Sequence, residues 1–174
     1  MSQGAARFEM PRIFNTPLEC GFRMLFLLHA AGPKARDLQR LISHDYLLIH
    51  SGDAVDGPPS LHPAVPHRGS EWLVKRDVIS LGLNHMFSRG LISKIATGAG
   101  ILYRGSELTA AFIRLLKAPY ARLIMDRAHW VEDRFGDMGD EQLKVYMTDN
   151  VGRWGAEFER LTALRDLDLG LEAS

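Results

Sequence analysis

The chain has 174 residues, 46% of them hydrophobic and 24% charged, enough to bury the core of one ordinary soluble domain and too apolar for a disordered linker. Its 21 basic and 21 acidic residues cancel, so it lacks the basic excess that usually accompanies sequence-independent nucleic-acid binding, and any DNA contact has to come from a local patch. A single cysteine, Cys20, excludes an intrachain disulfide and a cysteine-built metal cage and fits a reducing, cytoplasmic setting.

The opening Met-Ser-Gln-Gly has neither the basic run nor the apolar stretch of a signal peptide. Residues 1–15 read as a loose arm carrying Phe8, Ile13 and Phe14. Thr16-Pro17-Leu18-Glu19 then starts a helix: Thr16 accepts from first-turn amides, Pro17 suits the first helical position, and Glu19 completes a capping box. Leu18, Phe22, Leu25, Phe26 and His29 recur at helical spacing, and Gly32-Pro33 stops the run. Its most apolar part, residues 22–31, is too short to span a bilayer and contains Arg23 and His29, so no membrane contact is expected.

A second helix is expected from about residue 35 to 49. Residues 51–68 hold two glycines and four prolines and predict a long irregular loop, which is either a surface insertion or a functional segment. Ser70 and Glu71 open a third helix ending at Arg89-Gly90. Residues 91–95 and 101–104, separated by Thr97-Gly98-Ala99-Gly100, predict a two-stranded hairpin. A long helix over 107–135 should kink or break at Pro119, and residues 140–164 should give one or two helices divided near Gly152 or Gly155.

This order predicts a mainly α fold with a small β-hairpin: a winged-helix-like domain over 1–106 and a helical extension over 107–174 packed on it as one globular unit. A winged helix reads DNA with its third helix and wing. Between residues 70 and 105 the basic side chains Lys75, Arg76, Arg89, Lys94 and Arg104 outnumber the acidic Glu71 and Asp77, while Asn84, His85 and Ser88 could address base edges. A solvated helix face has the same composition.

Seven histidines are present, but none has the spacing of a zinc motif, and His44-Asp45 is a lone dipeptide without further ligands. No Gly-Lys-Ser/Thr follows the glycine pairs, and no Gly-x-Ser-x-Gly frames a nucleophile. Neither a catalytic residue, a metal nor a cofactor is expected. Trp154, flanked by glycines and an arginine in Gly152-Arg153-Trp154-Gly155, has the makeup of an interface anchor.

Several segments together carry a resemblance. They are Asn15-Thr16-Pro17-Leu18-Glu19, Asp45-Tyr46-Leu47-Leu48-Ile49-His50-Ser51-Gly52-Asp53, Gly57-Pro58-Pro59-Ser60-Leu61-His62-Pro63 and Pro66-His67-Arg68. Glu71-Trp72-Leu73-Val74-Lys75-Arg76, Ser88-Arg89-Gly90-Leu91 and Gly152-Arg153-Trp154-Gly155-Ala156-Glu157-Phe158 continue them. From about residue 13 to 160 the chain resembles the middle component of ABC three-component systems, the small subunit of Lamassu-type antiphage defence.

The resemblance implies a non-catalytic adaptor bound to an SMC-like ABC ATPase beside an effector such as a nuclease, with DNA reached through the complex. Its expected partner-binding residues are Pro58, Pro59, Leu61, His62, Pro63, His67 and Arg68 in the loop, and Arg153, Trp154 and Phe158 near the end. Lys75, Arg76, Arg89, Lys94 and Arg104 would face a partner or DNA held by the ATPase. The alternative is a winged-helix transcription regulator that binds an operator by itself.

Overall fold

The computed structural model describes residues 15–63 and 68–154, with the side chains of 68–74 outside that description. Within it the fold is mainly helical with one small antiparallel sheet. Helix α1 (Pro17–Ala30) begins as its sequence dictates: the Thr16 side chain accepts from the Glu19 amide, and the Glu19 carboxylate accepts from the Thr16 amide in return. It ends where Gly32 takes a left-handed φ of 62°. Every residue of α1 from Cys20 to Leu28 except the half-buried Phe22 is buried, so α1 is a central helix rather than an amphipathic surface one.

Strand β1 (Arg36–Asp37) follows, and Asp37 also caps α2 (Leu38–Ile49) by accepting from the Arg40 amide at 2.7 Å. Sequence periodicity starts this helix near residue 35; the structure spends those residues on a strand instead. After a 3-10 turn at Ser51–Asp53, helix α3 (Arg68–Ser88) starts before the expected Ser70-Glu71. Strands β2 (Ile92–Thr97) and β3 (Gly100–Gly105) form the expected hairpin, with Thr97 opposite Gly100 across the two-residue turn Gly98-Ala99.

The sheet has three strands rather than two, in the order β1-β3-β2, because Arg36 pairs with Tyr103 and Asp37 with Leu102. Two residues are too few to carry a period-2 signal, so β1 exists only through its partner. The run after the hairpin breaks at Pro119 into α4 (Glu107–Leu115) and α5 (Pro119–Phe135). A last helix, α6, occupies 140–154 and passes through Gly152 without a break; Gly155 and the residues after it lie outside the described part.

One core joins all of these helices. Cys20, Met24 and Phe26 of α1, Tyr46 and Leu48 of α2, Ile79 and Leu83 of α3, Ile113 of α4, Ile124 and Phe135 of α5 and Leu143 and Met147 of α6 belong to a single buried cluster. The α5–α6 corner is held by Arg40, 7% exposed, which donates to the Phe135 carbonyl at 3.2 Å, the Met138 carbonyl at 2.6 Å and Asp140 Oδ1 at 2.5 Å. Asp140 is largely solvent-exposed, so the ion pair contributes little, and the weight of the interaction lies in the two carbonyls. Arg40→Met should therefore cost about 1–3 kcal/mol through the unsatisfied acceptors, read as a lowered urea midpoint. An unchanged midpoint would show that water replaces the guanidinium.

Candidate docking groove and basic face

The described part of the irregular loop, residues 51–63, is fastened to α2 and to α5. Its backbone returns to the end of α2, where the amides of Leu61 and His62 both donate to the Ile49 carbonyl, at 3.0 and 3.1 Å. The Ser51 hydroxyl donates to the Pro59 carbonyl at 3.2 Å, and Arg127 of α5 donates to the same oxygen at 2.8 Å. The Leu61 and His62 amides and the Pro59 carbonyl, which have no helix or sheet partner, are thus satisfied by the end of α2, a serine and an arginine.

This places His62 beside α5. His62 Nε2 and the Tyr120 hydroxyl are hydrogen-bonded at 2.8 Å, with the rings nearly parallel. Burial, then the nearby Arg23, pushes the imidazole down to about 4, so it is neutral at physiological pH. Phe22 of α1 stacks on Phe112 of α4 with ring centroids 6.0 Å apart. Between α1, the His62 segment and the α4–α5 junction lies a groove of about 400 Å³, floored by Phe22, Phe26, Leu116, Ala121 and Ile124. Leu115, 73% exposed, stands on its rim.

Behind the groove is a buried charge cluster. The guanidinium of Arg23 grips Asp45 with two bonds, Nε to Oδ1 at 2.5 Å and Nη2 to Oδ2 at 3.0 Å, and also donates to Asn15 Oδ1 at 3.2 Å. Lys75 Nζ approaches Asp45 Oδ2 at 3.5 Å. Complete burial alone would raise the Asp45 carboxyl; Arg23 and then Lys75 outweigh it and hold it down at about 2. The same pairing overcomes burial at Arg23 and raises its guanidinium further. Burial raises the Cys20 thiol to about 11, so Cys20 is an inert core residue.

The structure distributes the residues singled out in the sequence unevenly. His62 lines the groove, and Pro58, Pro59, Leu61 and Pro63 lie along the fastened loop beside it, Pro59 and Pro63 exposed. His67, Phe158 and the Arg68 side chain lie outside the described residues. Trp154 is 3% exposed and stacks on Tyr46 with centroids 5.4 Å apart, so it anchors α6 to α2 rather than standing free. Arg153 is exposed and donates to Asn150 at 2.6 Å.

Lys75 leaves the basic set: at 3% exposure its ammonium faces Asp45, not solvent. Arg76 is exposed midway along α3, Arg89 just past its end and Arg104 on β3. Lys94 ties the hairpin to α3, donating to Asn84 Oδ1 at 2.6 Å and lying over the Phe87 ring. Asn84 is thereby already engaged.

Tyr120, Arg127, Leu115 and the Arg23–Asp45 pair were not marked by any motif. An arginine inside an otherwise apolar helix was the available signal, because such a charge stays buried only when paired.

Among the described residues no three His, Cys, Asp or Glu side chains converge to hold a metal ion, and no helix is long and apolar enough to cross a membrane. No curated protein and no solved structure matches the chain. A family model does match, over residues 13–157, a span that takes in every helix and strand described above and both sides of the groove. The chain therefore belongs to the family of ABC three-component (ABC-3C) system Middle Component 2 proteins.

Proposed function

We propose that the chain is a non-catalytic accessory subunit of a Lamassu-type antiphage defence assembly in the cytoplasm, bridging an SMC-like ABC ATPase and an effector such as a nuclease. The observation that carries this reading is the family match over residues 13–157, since a middle component works among partner proteins. A neutral chain with a fastened, proline-rich loop beside an apolar groove supports it. Preordered segments lose little entropy on docking.

The order α1-β1-α2-α3-β2-β3 and the strand order β1-β3-β2 support the winged-helix reading of residues 17–105. In that reading Arg76, Arg89, Lys94 and Arg104 face DNA that the ATPase holds, rather than DNA that the chain selects. Coexpression with an SMC-like ATPase and an effector encoded beside it should yield a complex with fixed stoichiometry, while the isolated chain shows no nuclease or ATPase activity. Failure to copurify sinks the adaptor. Tight, salt-sensitive binding of the isolated chain to one operator, abolished by Arg76→Glu with Arg89→Glu, would establish the free regulator in its place.

A further inference from the structure

We propose that residues 8–14 of the chain are the occupant of the groove between α1, the His62 segment and the α4–α5 junction, so that the free chain keeps this apolar surface covered. The proposal goes beyond the adaptor reading and does not depend on it.

The groove asks for carbon, not for charge. Its lining carries charges of both signs, Glu19 with Arg23 and Lys117, so neither sign is selected. Arg23 is bound to Asp45, Glu19 accepts from the Asn15 and Thr16 amides at 2.9 and 3.1 Å, and His62 is bonded to Tyr120. The rest of the lining is largely apolar, with Phe22, Phe26, Leu116, Ala121 and Ile124. This surface runs on over Leu115, 73% exposed at the rim, and over the exposed Leu18, one turn before Phe22 on α1. A contiguous apolar surface of this kind marks a contact site, whereas single exposed leucines need no explanation.

The chain enters the fold at the edge of this groove. Asn15 donates its amide to Glu19 Oε2 at 2.9 Å, and its side-chain oxygen accepts from Arg23 Nη2 at 3.2 Å. Both partners line the groove. These bonds hold Asn15 at a φ of 91°, a left-handed turn that asparagine tolerates better than most residues. Residues 8–14, Phe-Glu-Met-Pro-Arg-Ile-Phe, directly precede it and lie outside the described residues. Phe8, Met10, Ile13 and Phe14 give that segment the apolar side chains that the lining calls for.

Reach is sufficient. From Glu19 to Phe26 the groove follows α1 for about 10 Å, at about 1.5 Å per helical residue. Seven extended residues cover up to about 24 Å. Tethering then favours this segment over a separate protein or a second copy. A segment joined directly to the groove's edge acts at an effective concentration on the order of mM.

The test uses the full-length chain by itself. A photoreactive phenylalanine analogue replaces Leu115 in one preparation and Lys117 in another. Crosslinked peptides are identified by mass spectrometry from a mixture of isotopically labelled and unlabelled chains. The expected product joins these positions to residues 8–14 of the same chain, with no mixed-isotope pair. Ile13→Asp with Phe14→Asp should uncover the groove and raise the fluorescence of an apolar dye several-fold, while unfolding stays cooperative. Arg12→Asp changes the charge equally but removes no apolar side chain, and should leave dye binding unaltered. Should the double variant not melt cooperatively, the crosslinks decide by themselves.

Crosslinks to a second copy, crosslinks to residues 165–174, or none to residues 8–14 overturn the proposal. So does dye binding that the double variant leaves unaltered or that Arg12→Asp raises as much. No partner protein takes part, so each of these results leaves the adaptor reading standing. Failure to copurify with an ATPase touches that reading alone.

Discussion

Asp45→Ala is expected to remove about 3–5 kcal/mol of stability, out of the roughly 5–15 kcal/mol that single domains possess. Asp45 is fully buried and is the carboxylate that Arg23 holds with two hydrogen bonds and Lys75 approaches at 3.5 Å. Removing it leaves the buried Arg23 guanidinium without the carboxylate that it grips. The energy lost is mostly that penalty, not the net value of the ion pair, and the two are separable. Arg23→Met combined with Asp45→Leu should recover a substantial part of the loss, because an apolar pair of similar volume is often neutral in such a position. Equilibrium urea unfolding measures both, and a loss under about 1 kcal/mol for the single change would show that water reaches the guanidinium.

The pH dependence separates this carboxylate from the buried imidazoles. The folded Asp45 carboxyl sits at about 2 against an ordinary 3.8, so its contribution is present above that ordinary value and disappears as pH falls from there toward 2. His44 runs through a different window. Burial, then Arg40 and Arg36, lowers it from 6.5 to about 3; its contribution is complete above 6.5 and declines as pH falls from 6.5 toward 3. Acid sensitivity of the wild type should therefore begin near pH 6.5 from His44 and His62, well above the carboxylate range. The stability gap between wild type and Asp45→Ala should stay constant between about pH 5 and 8 and narrow below about 4. A gap that closes already at pH 6 would mean that Asp45 acts through a histidine.

The second large effect is at the crossing of α1 and α3, the most extensive contact among helices α1 to α5. Gly21 and Gly82 face each other there, with the Met86 side chain packed beside Gly21. A Cβ on Gly82 would lie 2.5 Å from the Pro17 carbonyl oxygen and 2.6 Å from the Gly21 nitrogen. Helix propensity by itself favours alanine over glycine by about 1 kcal/mol. The clash is with the backbone of α1 at Pro17 and Gly21, so α1 and α3 must separate, and overpacking of this kind costs about 1–3 kcal/mol or more. Gly82→Ala should be destabilising on balance.

Gly152→Ala in α6 supplies the opposite sign. That glycine is exposed, and a Cβ there meets nothing within 4 Å, so propensity acts unopposed and the variant should gain up to about 1 kcal/mol. Thermal melts of the two variants side by side decide the matter. Equal shifts in one direction would mean that the α1–α3 crossing is looser than its geometry.

Features encoded over a few neighbouring residues were legible in advance. The capping box of Thr16 and Glu19, the left-handed stop at Gly32, the hairpin across Gly98-Ala99 and the break at Pro119 are each specified by local sterics or local hydrogen bonds. The family resemblance was legible too, because its segments are contiguous. The groove was not. Its walls come from residues 19–26, 62 and 115–124, and no periodicity relates positions that far apart.

By itself, then, the sequence determined where α1 starts and stops, where the run after the hairpin breaks, that one hairpin forms, and which family the chain belongs to, since all of these depend on neighbours along the chain. The tertiary structure alone decided which faces those elements present. Lys75 and Arg76 are adjacent and chemically alike, yet Asp45 draws one inward while the other stays in water. Trp154 became a core residue because Tyr46 lies under it, and two residues at 36–37 became a strand because β3 offered an edge. Burial is a property of what packs opposite, and a partner distant in the chain leaves no mark on local composition.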